Sequence, residues 1–177
     1  VCDGCGFINA SRSTLTTGTP IIGNDGLTGF RVQTGSIVVQ GAGLDTSSSD
    51  YTQLIARAVE VNAGIWAQDL RVNTGAADVS ADASQANPLA ASGPAPAFAL
   101  DVAALGGMYA NKITLVGSET GLGMRNAGHL GASAGNVVVT VDGLLESRGR
   151  IPASADIHAT TNGGISNSGS VYALGNT

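Results

Sequence analysis

The sequence predicts an all-β protein built as a solenoid, a stack of coils of about 20 residues each. Three observations support this: 26 glycines among 177 residues, a charged fraction of only 12%, and short alternating strands that end at glycine. Such small residues suit tight corners, whereas a helical bundle needs more Leu, Glu and Lys at heptad-like spacing. Disorder is excluded for most of the chain because the apolar fraction is 43% and lies in alternating clusters.

The clearest repeat lies in the last third of the chain, in the strings MRNAGHL, LESRGRI and ISNSGSV, which begin at Met124, Leu145 and Ile165. Each string reads apolar, polar, Asn or Ser, any residue, Gly, polar, apolar. This recurrence predicts parallel pairing of each strand with its equivalent one coil away. The first residues of the strings should form one buried ladder. A second ladder is expected from their last residues: Leu130, Ile151 and Val171.

The glycine of each string is predicted to form a corner in which its φ is positive, a conformation that glycine adopts without strain. These corner glycines are Gly128, Gly149 and Gly169. A polar side chain lies two residues before each glycine, and we expect these side chains to stack and to hydrogen-bond the backbone of the turn. The residues of this polar ladder are Asn126, Ser147 and Asn167.

A second similarity joins GIWAQDLRVNTG, residues 64–75, to GMYANKITLVG, residues 107–117. Both strings begin with Gly, an apolar residue, an aromatic residue and Ala, and both continue into an alternating strand. The separation of their first glycines corresponds to about two coils. A Pro-, Ala- and Ser-rich segment between them, residues 81–97, predicts a loop or hairpin that leaves the solenoid wall. Residues 45–54 form another excursion, either a short helical turn or a plain loop.

Charge and hydropathy exclude several classes of protein. The formal net charge is −5 and no basic run occurs, so no nucleic-acid partner is expected. No apolar run approaches the roughly 20 residues of a membrane helix. The alternative function is that of a β-helical polysaccharide hydrolase or lyase, which needs converging carboxylates. Glu60 and Asp101 share one face, but we place them on coils separated by another turn, so no catalytic residue and no cofactor is predicted.

Three long strings resemble a known family: CDGCGFINASRSTLTTGTP, LIARAVEVNAGIWAQDLRVNTG and LDVAALGGMYANKITLVGSETGLGMRNAG. They are similar to the secretion domain of two-partner-secretion exoproteins, which include filamentous haemagglutinin, haemolysins and contact-dependent growth-inhibition proteins. The resemblance covers nearly the whole chain. It implies a right-handed parallel β-helix with an extra-helical hairpin. It also implies export through the periplasm and outer membrane of a Gram-negative bacterium, by an outer-membrane partner transporter whose periplasmic domains recognise the secretion domain.

This resemblance also suggests a division of the chain. Residues 1–135 correspond to the C-terminal part of a secretion domain, and residues 136–177 to the first haemagglutinin-type repeats of a filament shaft within the same β-helix. The family's Asn-Pro-Asn-Leu and Asn-Pro-Asn-Gly-Ile motifs are expected to precede Val1. The expected function is a non-catalytic secretion and recognition module of an adhesin, a haemolysin or a growth-inhibition toxin at the cell surface. Binding to a host or target cell would belong to the full-length protein.

Cys2 and Cys5 form a Cys-x-x-Cys motif. A zinc site is disfavoured because it needs two more ligands, the chain has no other cysteine, and His129 and His158 are isolated at positions expected to face solvent. Redox activity is disfavoured because no neighbouring cation is evident to lower a thiol pKa. In an exported protein the pair forms either a small disulfide at the end of the solenoid or two free thiols.

Overall fold

The computed structural model describes residues 1–176. All regular secondary structure in these residues is β-strand. The first eleven strands are β1 Cys2–Gly6, β2 Arg12–Thr16, β3 Thr19–Gly23, β4 Gly26–Val32, β5 Ser36–Asp45, β6 Tyr51–Ala56, β7 Ala58–Val61, β8 Gly64–Trp66, β9 Asp69–Thr74, β10 Ala77–Ser80 and β11 Ala86–Pro88. The other eleven are β12 Leu100–Val102, β13 Gly107–Ala110, β14 Lys112–Gly117, β15 Met124–Asn126, β16 His129–Ala132, β17 Val137–Val141, β18 Leu145–Ser147, β19 Arg150–Ala153, β20 Ile157–Thr161, β21 Ile165–Asn167 and β22 Ser170–Ala173.

The strands form a parallel β-helix with three faces, which confirms the predicted fold class. Face 1 contains β5, β7, β12, β15, β18 and β21, in that order. Face 2 contains β5, β8, β13, β16, β19 and β22, and face 3 contains β2, β6, β9, β14, β17 and β20. The long strand β5 joins faces 1 and 2, because Ile37 pairs with Val59 of β7 and Leu44 pairs with Ile65 of β8. Strand β1 pairs in parallel with β5.

Inward-facing apolar residues stack from coil to coil. On face 1, Met124 is the register partner of Leu145, which is the partner of Ile165, as the repeat predicted. Met124 is fully buried, whereas Ile165 is 56% exposed because it lies in the last coil of the chain. Val171 of the second ladder is also partly exposed for this reason. Burial of a large aliphatic side chain contributes roughly 1.5–3 kcal/mol, so these ladders supply much of the stability.

The two similar strings at residues 64 and 107 lie on adjacent coils, not two coils apart. Gly64 pairs with Gly107, and Trp66 pairs with Tyr109. The predicted spacing was wrong because residues 77–98, between β9 and β12, leave the wall and contribute no coil of their own. The two strings are therefore separated by more residues than one coil contains, although only one coil separates them in space.

Strands that leave the wall form an antiparallel sheet of four strands, in the order β11, β10, β4, β3. Strands β10 and β11 form a hairpin, but only β11 lies within the predicted range of residues 81–97, because β10 ends at Ser80. Strands β3 and β4 form a second hairpin, which the sequence analysis did not separate from the coils. The sheet packs on the β-helix through a small apolar cluster of its own: Phe30, Val32, Ile55, Ala77, Val79 and Ala83.

The excursion between β5 and β6 is a turn rather than a helix. Ser49 donates its backbone N–H to Thr46 O at 2.9 Å, and its buried hydroxyl lies 3.2 Å from that of Ser13. The chain then enters β6 at Tyr51. Residues 1–176 contain no helix that is long and apolar enough to cross a membrane.

Candidate functional site

The predicted polar ladder lies at the corner between faces 1 and 2. The side-chain oxygen of Asn126 accepts the backbone N–H of Gly128 at 3.1 Å, and Asn167 accepts that of Gly169 at 3.1 Å. The Nδ2 of Asn126 also donates to the hydroxyl of Ser147 at 3.5 Å. Asn126 and Ser147 are buried, so these contacts satisfy polar groups that water cannot reach.

The three corner glycines do not have the positive φ that was predicted for them, and Gly128, Gly149 and Gly169 are needed for a different reason. A Cβ on Gly149 would overlap with the carbonyl oxygen of Gly128 in the preceding coil. A Cβ on Gly169 would overlap with the carbonyl oxygen of Gly149 in the same way. Glycine is therefore required because successive coils approach each other closely at this corner, not because the backbone is left-handed.

Cys2 and Cys5 are joined by a disulfide in the structure, with their Cα atoms 5.5 Å apart. Cys2 is 2% exposed and packs into the core beside Val39, its register partner. Between them, Gly4 has a φ of 72° at an irregularity in the pairing of β1 with β5. The disulfide closes this irregular turn within β1.

The two histidines lie in different surroundings. His129 stacks on Tyr109, and desolvation followed by the charge of Arg150 lowers the pKa of its imidazole. His158 is exposed, with its Nε2 3.8 Å from a carboxylate oxygen of Asp156. His129 is half-buried, contrary to the expectation that it faces solvent freely. The described residues contain no group of three side chains among His, Cys, Asp and Glu that could hold a metal.

Glu60 and Asp101 are closer than the sequence analysis placed them, because they are register partners on adjacent strands of face 1. The carboxylate of Asp101 accepts two hydrogen bonds from Arg125, at 2.8 and 2.6 Å. The guanidinium of Arg125 in turn lies over the ring of Phe98, 4.5 Å from its centroid. Asp101 is therefore engaged in an ion pair on the outer wall.

A buried ion pair that the sequence analysis missed fixes the extra-helical segment. The guanidinium of Arg57 donates to both carboxylate oxygens of Glu119, at 3.0 and 2.7 Å. Its remaining nitrogen donates to three successive backbone carbonyl oxygens of the segment that returns to the wall, those of Ser92, Gly93 and Pro94. The Arg57 side chain is 6% exposed, and its hydrogen bonds hold the pKa of Glu119 below its ordinary value.

The extra-helical sheet has a free edge at β3. Among the described residues β3 pairs with β4 on one side only, so its other side is open to a further strand, although Pro20 has no backbone N–H to donate. Large apolar side chains lie beside this edge, since Ile22 is 68% exposed and Leu27 is 47% exposed. An edge of this kind is a site at which a strand of another chain can add to the sheet.

A parallel β-helix that carries an antiparallel sheet outside its wall is the architecture of a secretion domain. The crystal structure of the filamentous hemagglutinin secretion domain matches this chain with a TM-score of 0.84 and 27% sequence identity. The match covers 97% of this chain and 60% of that structure. A family model described as the TPS secretion domain, where TPS denotes two-partner secretion, matches residues 1–171. The chain therefore belongs to the TPS secretion domain family, whose members direct large proteins out of the cell.

Individual relatives are longer proteins. The chain is 54% identical to Toxin CdiA of Yersinia pestis, over 99% of this chain and 5% of that protein. It is 50% identical to tRNA nuclease CdiA-2 of Burkholderia pseudomallei, over 87% of this chain and 5% of that protein. The chain thus spans about one twentieth of the length of these relatives, and the similarity concerns their secretion module.

Proposed function

We propose that this chain is recognised by the periplasmic part of a dedicated outer-membrane transporter, and that recognition occurs at the free edge of β3. The free edge itself carries this proposal: one side of β3 is unpaired, and Ile22 and Leu27 beside it are exposed. Membership of the TPS secretion domain family supports a transporter as the partner. A strand added to this edge would gain main-chain hydrogen bonds and apolar contacts together.

The attachment of the extra-helical sheet supports this assignment. The Arg57–Glu119 pair and the three carbonyl contacts of Arg57 hold the returning segment against the wall. The sheet is therefore presented in one orientation before a partner arrives, which lowers the entropy lost on binding. After recognition, each coil can template the next as the chain emerges, so that folding outside the cell favours export without ATP.

We further propose that this segment is not itself catalytic. Asp101 is paired with Arg125, and Glu119 with Arg57, so two of its carboxylates are neutralised by adjacent guanidinium groups. A glycoside hydrolase instead keeps two acids free on either side of the scissile bond. Residues 136–177 would begin the filament shaft of a large exoprotein, with any toxin, adhesive or receptor-binding activity located elsewhere in that protein. The disulfide between Cys2 and Cys5 would serve the stability of the first coil.

The test is a secretion assay on the full-length exoprotein, produced with and without its transporter. Ile22→Lys and Leu27→Lys are combined in one variant, because charged side chains beside an edge strand oppose strand addition. We expect the amount of exoprotein outside the cell to fall several-fold in the variant and to vanish without the transporter. The accumulated protein should be found in the periplasm.

The matched control is Leu105→Lys, which adds the same charge at an apolar residue that is 91% exposed on the β-helix itself. This variant should be secreted at the wild-type level. Equal secretion of the Ile22→Lys/Leu27→Lys variant and the wild type would contradict the β3 edge as the recognition site. Secretion that persists without the transporter would contradict the partner.

A further inference from the structure

Face 2 carries a row of aromatic rings on three consecutive coils, defined here as the aromatic row: Trp66, Tyr109 and His129. The ring centroids of Trp66 and Tyr109 are 6.1 Å apart with planes 15° from parallel, and those of Tyr109 and His129 are 5.1 Å apart at 21°. Parallel rings in contact are separated by about 3.5 Å, so the centroid distances imply lateral offsets of about 5 and 4 Å. The rings overlap only in part, and Trp66 and Tyr109 each remain 42% exposed.

Glycines beneath the aromatic row explain its geometry. A Cβ on Gly107 would lie 2.8 Å from the ring of Tyr109, and a Cβ on Gly64 would meet the ring of Trp66. Each ring therefore folds back over the glycine two residues before it. In the third coil the order is reversed, because His129 leans over Gly131, where a Cβ would lie 2.8 Å from its Nε2.

A second row of polar side chains runs beside the first, defined here as the polar row: Gln68, Asn111 and Ser133. The hydroxyl of Ser133 donates to Asn111 Oδ1 at 2.9 Å, and Asn111 Nδ2 donates to Gln68 Oε1. Gln68 Nε2 donates to the carbonyl oxygen of Ser47 at 2.9 Å. A primary amide has two N–H groups, so Gln68 and Asn111 each retain one donor after these bonds. The hydrogen-bond chain thus orients donors that are still available to a ligand.

Between the polar row and two members of the aromatic row, Tyr109 and His129, lies a groove of about 410 Å³. Ala67, Ala110 and Ala132 form its floor. One wall is aromatic, the other consists of amides and a hydroxyl, and no carboxylate lines the groove. A second depression of about 600 Å³ adjoins it across Tyr109 and His129 and is lined by Arg148 and Arg150. The groove runs along the axis of the β-helix, and its side chains repeat once per coil, at roughly 4.8 Å.

We propose that this groove binds an extended glycan strand, neutral or acidic, with one sugar unit per coil. Partly uncovered aromatic faces stack on the C–H faces of pyranose rings, and free amide donors and acceptors bond to sugar hydroxyls or acetamido groups. The spacing of the coils is close to the length of one sugar unit in an extended β-linked chain. This binding activity is separate from recognition by a transporter, which was assigned to the edge of β3.

Other classes of ligand fit the groove less well. A peptide strand that runs along the axis crosses the strands of face 2 at a right angle, so it finds no open backbone edge with which to pair. A nucleic acid requires clustered cations, whereas the chain carries a net charge of −5. Arg148 and Arg150, which line the adjoining depression, favour an acidic glycan over a cationic one.

The chain has a single tryptophan, Trp66, which stacks on Tyr109 of the groove lining, so its emission reports on ligands that cover or displace Tyr109. The purified chain, with a cooperative thermal transition as evidence that it is folded, is titrated with the β-1,4-linked hexamer of N-acetylglucosamine, the glucose hexamer cellohexaose and a galacturonate hexamer. We expect a saturable change in Trp66 emission with at least one of them. The fully deacetylated glucosamine hexamer, which is cationic, should bind at least tenfold more weakly.

Two variants separate binding from folding. Asn111→Ala removes the middle of the polar row without touching the rings and should weaken binding at least tenfold with little change in Tm. Ile22→Ala is the control, because Ile22 is an exposed apolar residue of the extra-helical sheet and not of face 2. It should bind as the wild type does.

The proposal is overturned if none of the three hexamers changes Trp66 emission at millimolar concentration, or if Asn111→Ala binds as tightly as the wild type. It is also overturned if the glycans have no effect and the periplasmic part of the transporter alone shifts the emission, which would make the groove a protein-docking surface. If Asn111→Ala in the full-length exoprotein loses glycan binding but is secreted normally, the assignment of transporter recognition to the edge of β3 is unaffected. Failure of the glycan proposal can therefore be distinguished from failure of the proposed transporter recognition.

Discussion

The imidazole of His129 stacks on the ring of Tyr109 with a centroid separation of 5.1 Å, although the two residues are not register partners. His129 pairs with Gly107, and Tyr109 pairs with Gly131. The contact exists because the Tyr109 ring leans back over Gly107 and so comes into line with His129. Glycine and the ring-bearing residue thus occupy opposite register positions in these two coils, and the rings nevertheless remain in contact.

This relationship makes Gly64 and Gly107 necessary for the aromatic row. We expect Gly64→Ala to displace the indole of Trp66, because the added Cβ overlaps with the ring. Overpacking of this kind costs about 1–3 kcal/mol. The measurement is the Tm together with Trp66 emission, which should shift to longer wavelength as the ring becomes more exposed. Gly6→Ala is the control, since its Cβ would make only an ordinary 3.5 Å contact with Asp45 O. Unchanged emission in Gly64→Ala would contradict the account.

Substitution of a corner glycine can test whether glycine is required by the close approach of adjacent coils or by a left-handed backbone. Gly149→Ala should destabilise by about 1–3 kcal/mol, and Gly149→Val by more, because the Cβ overlaps with a carbonyl oxygen of the preceding coil. Gly164→Ala is the comparison: its φ is 91° and nothing lies within 4 Å of an added Cβ. Its cost should therefore be limited to about 1–2 kcal/mol from the left-handed backbone. Chemical denaturation measures both. A smaller loss for Gly149→Val than for Gly164→Ala would refute the steric explanation.

Loss of the buried Arg57–Glu119 pair should release the extra-helical segment. Arg57→Met leaves the half-buried carboxylate of Glu119 with only the N–H of Ala76 as a partner, and we expect a loss of about 3 kcal/mol. Limited proteolysis should then cut within residues 81–97. The double variant Arg57→Met/Glu119→Leu should recover much of the stability, because it removes both charges.

Arg31→Met is the matched control for this experiment. It breaks the pair with Asp78, in which the arginine side chain is 54% exposed, so solvent screens the pair and its loss should lower stability far less. Equal destabilisation by the Arg31 and Arg57 substitutions would show that the burial of Arg57 does not strengthen its pair with Glu119.

The carboxylate of Glu119 should make the stability of the protein depend on pH. Hydrogen bonds from Arg57, and then from the N–H of Ala76, lower the pKa of Glu119 in the folded protein from its ordinary 4.5. A carboxyl whose pKa is lower folded than unfolded contributes stability that is present above the unfolded pKa and lost as the pH falls through the folded pKa. We therefore expect the Tm to decline below pH 4.5. Glu119→Gln should start lower at pH 7 and decline less steeply, and parallel curves would contradict the assignment.

The disulfide can be tested by intact mass. Cys2 and Cys5 should resist alkylation in the folded and in the unfolded chain until a reductant is added. Replacement of both by Ser should cost about 2 kcal/mol by the loop-entropy relation, because the closed loop is short. The loss should be confined to the first coil, so that hydrogen exchange accelerates in β1 before it does in β16. Two alkylated thiols without reductant would show that the pair is free.

The periodic sequence by itself determined the β-helix and its ladders in the last third of the chain, because uninterrupted coils of nearly constant length place equivalent residues in register. Met124, Leu145 and Ile165 could be aligned for that reason. Only the tertiary structure decided that Gly64 and Gly107 are neighbours, since the excursion between them adds residues but no coil. The pairing of Arg57 with Glu119 was likewise invisible, because nothing local in either segment specifies a partner 62 residues away. The role of Gly149 was misassigned because its constraint comes from a carbonyl oxygen of the neighbouring coil, an atom that a local pattern cannot place.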